Sequence, residues 1–273
     1  MSARLAPLCA AAAAFALATA FAPGASAQAG RSSASGSSPD DFDFDKNARF
    51  DSPQHFAFEL RFGPYRPDID SAFGGLPAEE RPFRQTFGNG KGFHFGVELD
   101  WQALRLPYVG TFGPGVGWSY VSRSAEAFER GVVDEDGNRV RAGEDTTLTI
   151  MPMYAVGVLR IDYPARRFGI PLVPYAKAGL GFALWSASIE SGVVTRDGVK
   201  GRGRAWGPHF ALGAAFLLDV LDPSAARLMD SSVGVNNTYA YIEWMRNDLG
   251  DLFESKQMRV GTSTWVAGLA VEF

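Results

Sequence analysis

The sequence predicts an all-β fold, an up-and-down meander of eight antiparallel strands closed into a barrel that spans a membrane. Three observations predict it. Segments with a period of two recur between residues 55 and 273, each setting large apolar side chains against glycine and isolated charges. Glycine (31 residues) and aromatic residues (13%) are plentiful, while long segments of helical period are nearly absent. Beyond the first residues, no stretch of about 20 residues is apolar enough for a transmembrane helix. Closely packed strands with aromatic belts suit such a composition, and a Rossmann-like or helical enzyme does not.

The first residues read as a leader. Arg4 supplies a positive start, Leu5 to about Phe21 an apolar run, and Pro23 and Gly24 break it. Ala25 and Ala27 flank Ser26 as the small residues of a cleavage site, so the mature chain is expected to begin at Gln28. Cys9, the only cysteine, lies inside this leader. The mature protein is therefore expected to hold no thiol, disulfide or cysteine-ligated metal. Loss of Arg4 moves the formal charge from -4 to -5, which disfavours nucleic acid as a partner. Residues 28–54 read as a flexible acidic tail, Gly/Ser-rich from Gly30 to Pro39. Asp40 to Asp45 alternates aspartate with Phe42 and Phe44, without a turn to gather the oxygens calcium requires. The division is thus 1–27 leader, 28–54 tail and 55–273 barrel.

Each strand has two readable faces. The first, about 55–63, opposes Phe56, Phe58, Leu60 and Phe62 to Ala57, Glu59, Arg61 and Gly63. The second, about 92–101, opposes Phe93, Phe95, Val97, Leu99 and Trp101 to His94, Gly96, Glu98 and Asp100. The third, about 108–121, sets Phe112, Pro114, Val116, Trp118 and Tyr120 against small residues. The fourth, about 147–160, has Leu148, Ile150, Tyr154, Val156 and Val158 on one side, but its other side is also fairly apolar, so its facing is the least defined. The fifth, about 172–186, sends Ala176, Ala178, Leu180, Phe182 and Leu184 outward and Tyr175, Lys177, Gly179 and Gly181 inward. The sixth, about 205–219, shows Trp206, Phe210, Leu212, Phe216 and Leu218 against Gly207, His209, Ala211, Gly213 and Asp219. The seventh, about 237–246, puts Ala240, Ile242 and Trp244 opposite Tyr239, Tyr241 and Glu243. The last, 259–273, carries Trp265, Ala267, Leu269, Val271 and Phe273 on its large face.

The size of the two faces decides which one turns in. An eight-stranded barrel has an interior just wide enough to be filled by side chains. Small residues and paired charges fit there, and large apolar ones are expected to face lipid. Connections alternate accordingly: 102–107, 161–171 and 220–236 are short or compact, and 64–91, 122–146, 187–204 and 247–258 are long and polar. Asp222-Pro223-Ser224 starts a short helix running through Met229. Asp136-Gly137 and Asp197-Gly198 mark hairpin tips of strands that extend beyond the bilayer. Trp118, Tyr120, Trp185, Trp206 and Trp244 are expected at one interface, and Trp101, Tyr108 and Phe273 at the other.

The final strand, ending on an aromatic with Trp265, Leu269, Val271 and Phe273 on one face, resembles the C-terminal assembly signal of bacterial outer-membrane barrels. Phe58 to Tyr65, Gly96 to Asp100, Pro171 to Gly181, Gly234 to Tyr239 and Thr264 to Leu269 resemble a family of small outer-membrane β-barrel proteins of myxobacteria and related bacteria. A looser likeness, in size and strand count, extends to OmpA-like and OmpX-like barrels. The resemblance implies a barrel in the outer membrane and no known catalytic activity. It also implies contact with the bilayer and lipopolysaccharide, and with assembly machinery and periplasmic chaperones during biogenesis. A monomer is expected.

An outer-membrane hydrolase would need a serine beside a histidine base. None of His55, His94 and His209 precedes Ser-Asn, the arrangement of lipid A deacylases, and the last two are expected in the lumen as structural histidines. No catalytic, cofactor or metal residues are assigned. The lumen is expected to hold Glu59, Arg61, Glu98, Lys177 and Glu243 as a polar network, since enclosed charges must be paired. The leading function is a structural or surface-interaction role through four outer loops, with a narrow pore or a lipid-modifying enzyme as alternatives. The loop from Arg66 to Gly90, with Phe73, Phe83 and Phe87, is apolar enough to fold over the barrel mouth or to offer a binding patch.

Overall fold

The alternating segments form eight long strands: β1 (Phe56–Tyr65), β2 (Gly92–Trp101), β3 (Gly110–Val133), β4 (Arg139–Arg160), β5 (Leu172–Ile189), β6 (Arg202–Leu217), β7 (Asn237–Asn247) and β8 (Thr262–Glu272). In this computed structural model the described residues are 55–273, except 134, 136–138, 191, 197–198, 251 and 254–257. The leader with Ala25 and Ala27, the tail, and the expected tips Asp136-Gly137 and Asp197-Gly198 lie outside the described residues.

Each strand pairs antiparallel with the next, and β8 returns to β1 in the register Phe58↔Val271, Leu60↔Leu269 and Phe62↔Ala267. The barrel is closed, so within it each strand has a partner on both sides; beyond Ser122 and Thr147, β3 and β4 pair only with each other. His55 and Phe273 mark one end, here the terminal end; the other, carrying the connection from β1 to β2, is the mouth. Phe56 and Phe273 exchange backbone hydrogen bonds of 2.9 and 3.0 Å, and their rings stack with centroids 6.0 Å apart.

The strands flanking the second long connection extend far into it, as the expected hairpin implied. β3 runs on to Val133 and β4 begins at Arg139, so most of 122–146 is strand. Ser122 to Glu126 and Asp145 to Thr149 show no clean apolar alternation in sequence, but the ladder from Ser122↔Thr149 to Glu126↔Asp145 still pairs the backbone. Ser124 and Thr147 hydroxyls meet across it at 2.7 Å. At the other end of the barrel, two helices sit in connections. α1 (Tyr163–Phe168) was not expected; Pro164 and a left-handed Gly169 delimit it. α2 (Pro223–Val233) is capped by Asp222, whose carboxylate accepts from the amides of Ser224 and Ala225. It runs past Met229 and ends at left-handed Gly234.

Seven strands face as their alternation predicts. In β1, for example, Ala57, Glu59 and Arg61 are buried between partly or wholly exposed Phe56, Phe58, Leu60 and Phe62. β4, the ambiguous one, turns its larger face inward: Leu148, Ile150, Tyr154, Val156 and Val158 are all buried. Large side chains therefore do enter the lumen, contrary to the expectation that they must face lipid. Glycines on adjacent strands make the room. Tyr154 lies opposite Gly117, Tyr175 opposite Gly213 and Tyr241 opposite Gly268, and a Cβ on any of the three glycines would strike the tyrosine ring.

Candidate functional site

Because successive side chains alternate, one register brings inward residues of five strands, β1, β2, β4, β5 and β7, together in the lumen. Glu59 stands opposite Glu98 across β1 and β2, an arrangement that repels unless cations lie between. Lys177 of β5 supplies one, its Nζ 2.7 Å from Glu59 and 2.8 Å from Glu98. Arg61 supplies another, 3.0 Å from Glu59 and also paired with Glu98 and Glu243. The structure thus brings Glu59, Arg61, Glu98, Lys177 and Glu243 into one cluster.

Sequence reasoning missed several members. Arg160 closes the terminal side of the cluster, 2.6 Å from Glu59 and 2.7 Å from Asp100. The hydroxyls of Tyr154 and Tyr175 donate to Glu98 (2.6 Å) and Glu243 (3.0 Å). The Tyr175 ring also lies beneath Lys177 Nζ at 5.0 Å. Asp100 shares the parity of Glu98 and was legible as inward. Arg160 shares that of Tyr154 and Val158, and needed only the facing of β4. Glu59, Glu98 and Asp100 bring carboxylate oxygens within 4.8 Å of one another, a spacing that suits a cation. Lys177 and Arg160 already occupy that role.

Nearer the terminal end Glu272, the only charge in the alternating part of β8, accepts from Gln102 (2.7 Å), Tyr239 (2.9 Å) and Asn237 (3.0 Å). Trp265, Leu269 and Phe273 are exposed on the outside of β8, with Val271 partly so. Towards the mouth, His94 stacks on Tyr65 with centroids 6.0 Å apart, and His209 on Tyr154 at 4.0 Å. Both histidines are buried.

Above the histidines the filling changes. Tyr65, Ile69, Phe83, Val121, Leu148 and Ile150 form the centre of an apolar plug, with Phe87 and Trp185 packed against it. Ile69 and Phe83 come from the connection between β1 and β2, which folds into the mouth; Asp70 holds it by accepting from the amide of Phe83 at 2.8 Å. Trp185 therefore does not belong to an outer aromatic girdle. It shares the parity of inward Gly181 and Ala183 and points into the barrel.

Beside the plug is an open cleft of about 870 Å³. Among the described residues, six cationic side chains line it, Arg66, Arg81, Arg84, Lys91, Arg246 and Arg259, against the carboxylates of Asp68, Asp70 and Asp248. Arg66 meets Asp70 at 3.5 Å and Arg246 meets Asp248 at 2.9 Å, while Arg84 pairs with Glu79 at 3.1 Å. In a chain of formal charge -4, this is a local excess of positive charge, and buried Asn247 adds an amide to the lining.

No family model and no curated protein sequence matches this chain. Among solved structures it is similar to the attachment invasion locus protein Ail of Yersinia pestis, at 13% identity and a TM-score of 0.37, over 81% of this chain and 97% of that one. It is also similar to Neisserial surface protein A, at 13% and 0.39, over 81% and 98%. OprG, an outer-membrane protein of Pseudomonas aeruginosa, is matched at 11% and 0.40, over 82% and 97%. Likenesses this distant carry nothing about ligands or activity; the barrel rests on the strand pairing given above.

Proposed function

We propose that this chain is an integral outer-membrane β-barrel, of the small-barrel family it resembles, whose lumen is closed and whose mouth binds anionic groups. The observation that carries the membrane reading is the barrel's outer surface. Leu212 and Trp265 are 58% exposed and Val116 57%, within a belt that continues through Leu99, Leu180 and Ile242. In water such a belt would drive association, whereas a bilayer is its matching solvent. Trp265, Leu269, Val271 and Phe273 fit an assembly signal read by the insertion machinery, and Ala25 and Ala27 a leader cleavage site.

Two interior features support a closed barrel over the pore alternative. The ion cluster fills the middle of the lumen, and the apolar plug lies above it. The buried, ring-stacked settings of His94 and His209 support structural roles rather than catalysis. Heat modifiability on a denaturing gel, together with single-channel recording in planar bilayers, tests this reading. A mobility shift without steady conductance is expected; stepwise conductance would overturn closure. Lys177→Met should weaken the folded barrel and leave conductance unchanged.

The cation-lined cleft supports the surface-interaction role, with phosphate borne on a sugar as the ligand chemistry: guanidinium and ammonium groups pair with the phosphate, and Asn247 with hydroxyls. Calorimetry on the protein in nanodiscs, with glucose 6-phosphate, glucose, inorganic phosphate and purified lipopolysaccharide, separates the sources. Binding of glucose 6-phosphate but not glucose is expected, weakened about tenfold or more in Arg81→Gln/Lys91→Gln. Binding of lipopolysaccharide alone would place the phosphate on lipid, and binding of none would overturn the proposal.

A further inference from the structure

The apolar outside of the barrel does not stop where the strands stop. β6 ends with exposed Phe216, and the chain continues through exposed Val220 and Leu221 into α2. The neighbouring connection emerges beside it, since Leu172 pairs with Phe216 and the Leu217 amide donates to Pro171 at 3.0 Å. That connection exposes Phe168 and Ile170. Two adjacent segments at the terminal end therefore extend the lipid-facing belt sideways.

α2 has the faces of a helix lying at an interface. Ala226 and Asp230, one turn apart, are its half-buried positions. On one flank of that line lie Ala225, Leu228, Met229 and Val233; Leu228 is 67% exposed and Val233 68%. On the other lie Ser224, Arg227 and Ser231; Ser232 falls on the apolar flank, one turn after Leu228, its hydroxyl donating to the Leu228 carbonyl. Spacings of three and four residues keep each set on its own side. An exposed leucine and valine on a helix with no apolar partner for them among the described residues call for a cover.

We propose that α2 lies in the headgroup region of the leaflet at the terminal end, its Leu228–Met229–Val233 flank against acyl chains and Ser224 and Ser231 towards water. Continuity with the belt selects lipid as the cover. Arg227 on α2 and Arg166 and Arg167 in the last turn of α1 place cations at the same end, where lipid phosphates would meet them. Together with Tyr108, 80% exposed beside Tyr163, the helices would act as a collar that sets how deep the barrel sits. This inference rests on the membrane reading of the belt, and its test separates the two.

Single cysteines at Leu228, Val233, Ser224 and Ser231, with Leu212 as the belt control, are introduced on a Cys9→Ser background and spin-labelled. The proteins are placed in nanodiscs of phosphatidylethanolamine and phosphatidylglycerol. Labels at Leu228, Val233 and Leu212 should collide more with oxygen than with a water-soluble nickel chelate, and labels at Ser224 and Ser231 the reverse. A water-like label at Leu228 beside a lipid-like one at Leu212 would overturn the helix proposal alone. Labels shielded from both quenchers at Leu228 and Val233 would mean a protein cover, such as a second copy, and would overturn it too. A water-like label at Leu212 would overturn the membrane reading itself.

Discussion

The lumen of this barrel is filled in two ways, and the two regions differ in what holds them. In the middle, Arg61, Lys177 and Arg160 stand among Glu59, Glu98, Asp100 and Glu243, each charge depending on partners from other strands. At the mouth, Tyr65, Phe83, Val121, Leu148 and Ile150 exclude water chiefly by packing. Beyond the pairing of strand and helix backbone, their described hydrogen bonds run from the Tyr65 hydroxyl to the Val260 carbonyl and from the Phe83 amide to Asp70. The ionic region ties a specific register, because a one-residue slip of any strand would turn its charges towards lipid. The apolar region tolerates exchange of one hydrocarbon for another of similar volume. Specificity therefore resides in the middle of the barrel and sealing at the mouth.

The largest effect should come from removing a shared cation. Arg61→Met leaves Glu98 and Glu243 short of a partner in a buried site and should cost about 3–5 kcal/mol. Urea unfolding in lipid vesicles, followed by loss of the heat-modifiable band, measures it; a change below about 1 kcal/mol would mean the network contributes little to stability. In the plug, Ile150→Ala should cost about 2–4 kcal/mol by leaving a cavity, while Ile150→Leu should stay below about 1.5 kcal/mol. Equal losses in the two variants would show that the mouth, like the middle, depends on specific geometry.

Between the two regions, Gly117→Ala places a methyl group where the Tyr154 ring lies and should disturb its bond to Glu98. A loss of about 1–3 kcal/mol is expected, and the near-ultraviolet circular dichroism of tyrosine should change with it. An unchanged spectrum would mean the ring has room elsewhere.

The smallest effect lies outside the barrel. The Ser224 hydroxyl, then the amides of Ala225 and Ser224, hold the Asp222 carboxyl below its ordinary value. A depressed carboxyl stabilises the fold above the unfolded-state value, about pH 4, and that contribution disappears as pH falls through the lower folded value. Acidification below about pH 4 should therefore fray the first turn of α2, faster amide exchange at Ser224 and Ala225 being the readout. Asp222→Asn, which keeps the capping oxygen, should remove the pH dependence and retain the helix.

Strand number, the facing of seven strands and the cap of α2 were legible from residues close together in sequence. Alternation such as Phe56 to Phe62 against Ala57 to Gly63 is a local property, and a barrel of eight strands leaves the narrow face one place to go. The parity that marked Glu59, Arg61, Glu98, Lys177 and Glu243 as inward is of the same kind. The facing of β4 was not legible, because both its faces are apolar and Gly117 and Gly181 on neighbouring strands decide which can be accommodated inside. With that facing came Arg160, Tyr154 and the apolar plug, and the parity of β5 carried Trp185 into the same interior. The cleft likewise needs the β1–β2 connection folded against β7 and β8, residues about 180 apart along the chain. Periodicity belongs to a single strand, whereas space and charge balance belong to the neighbours that tertiary structure alone brings together.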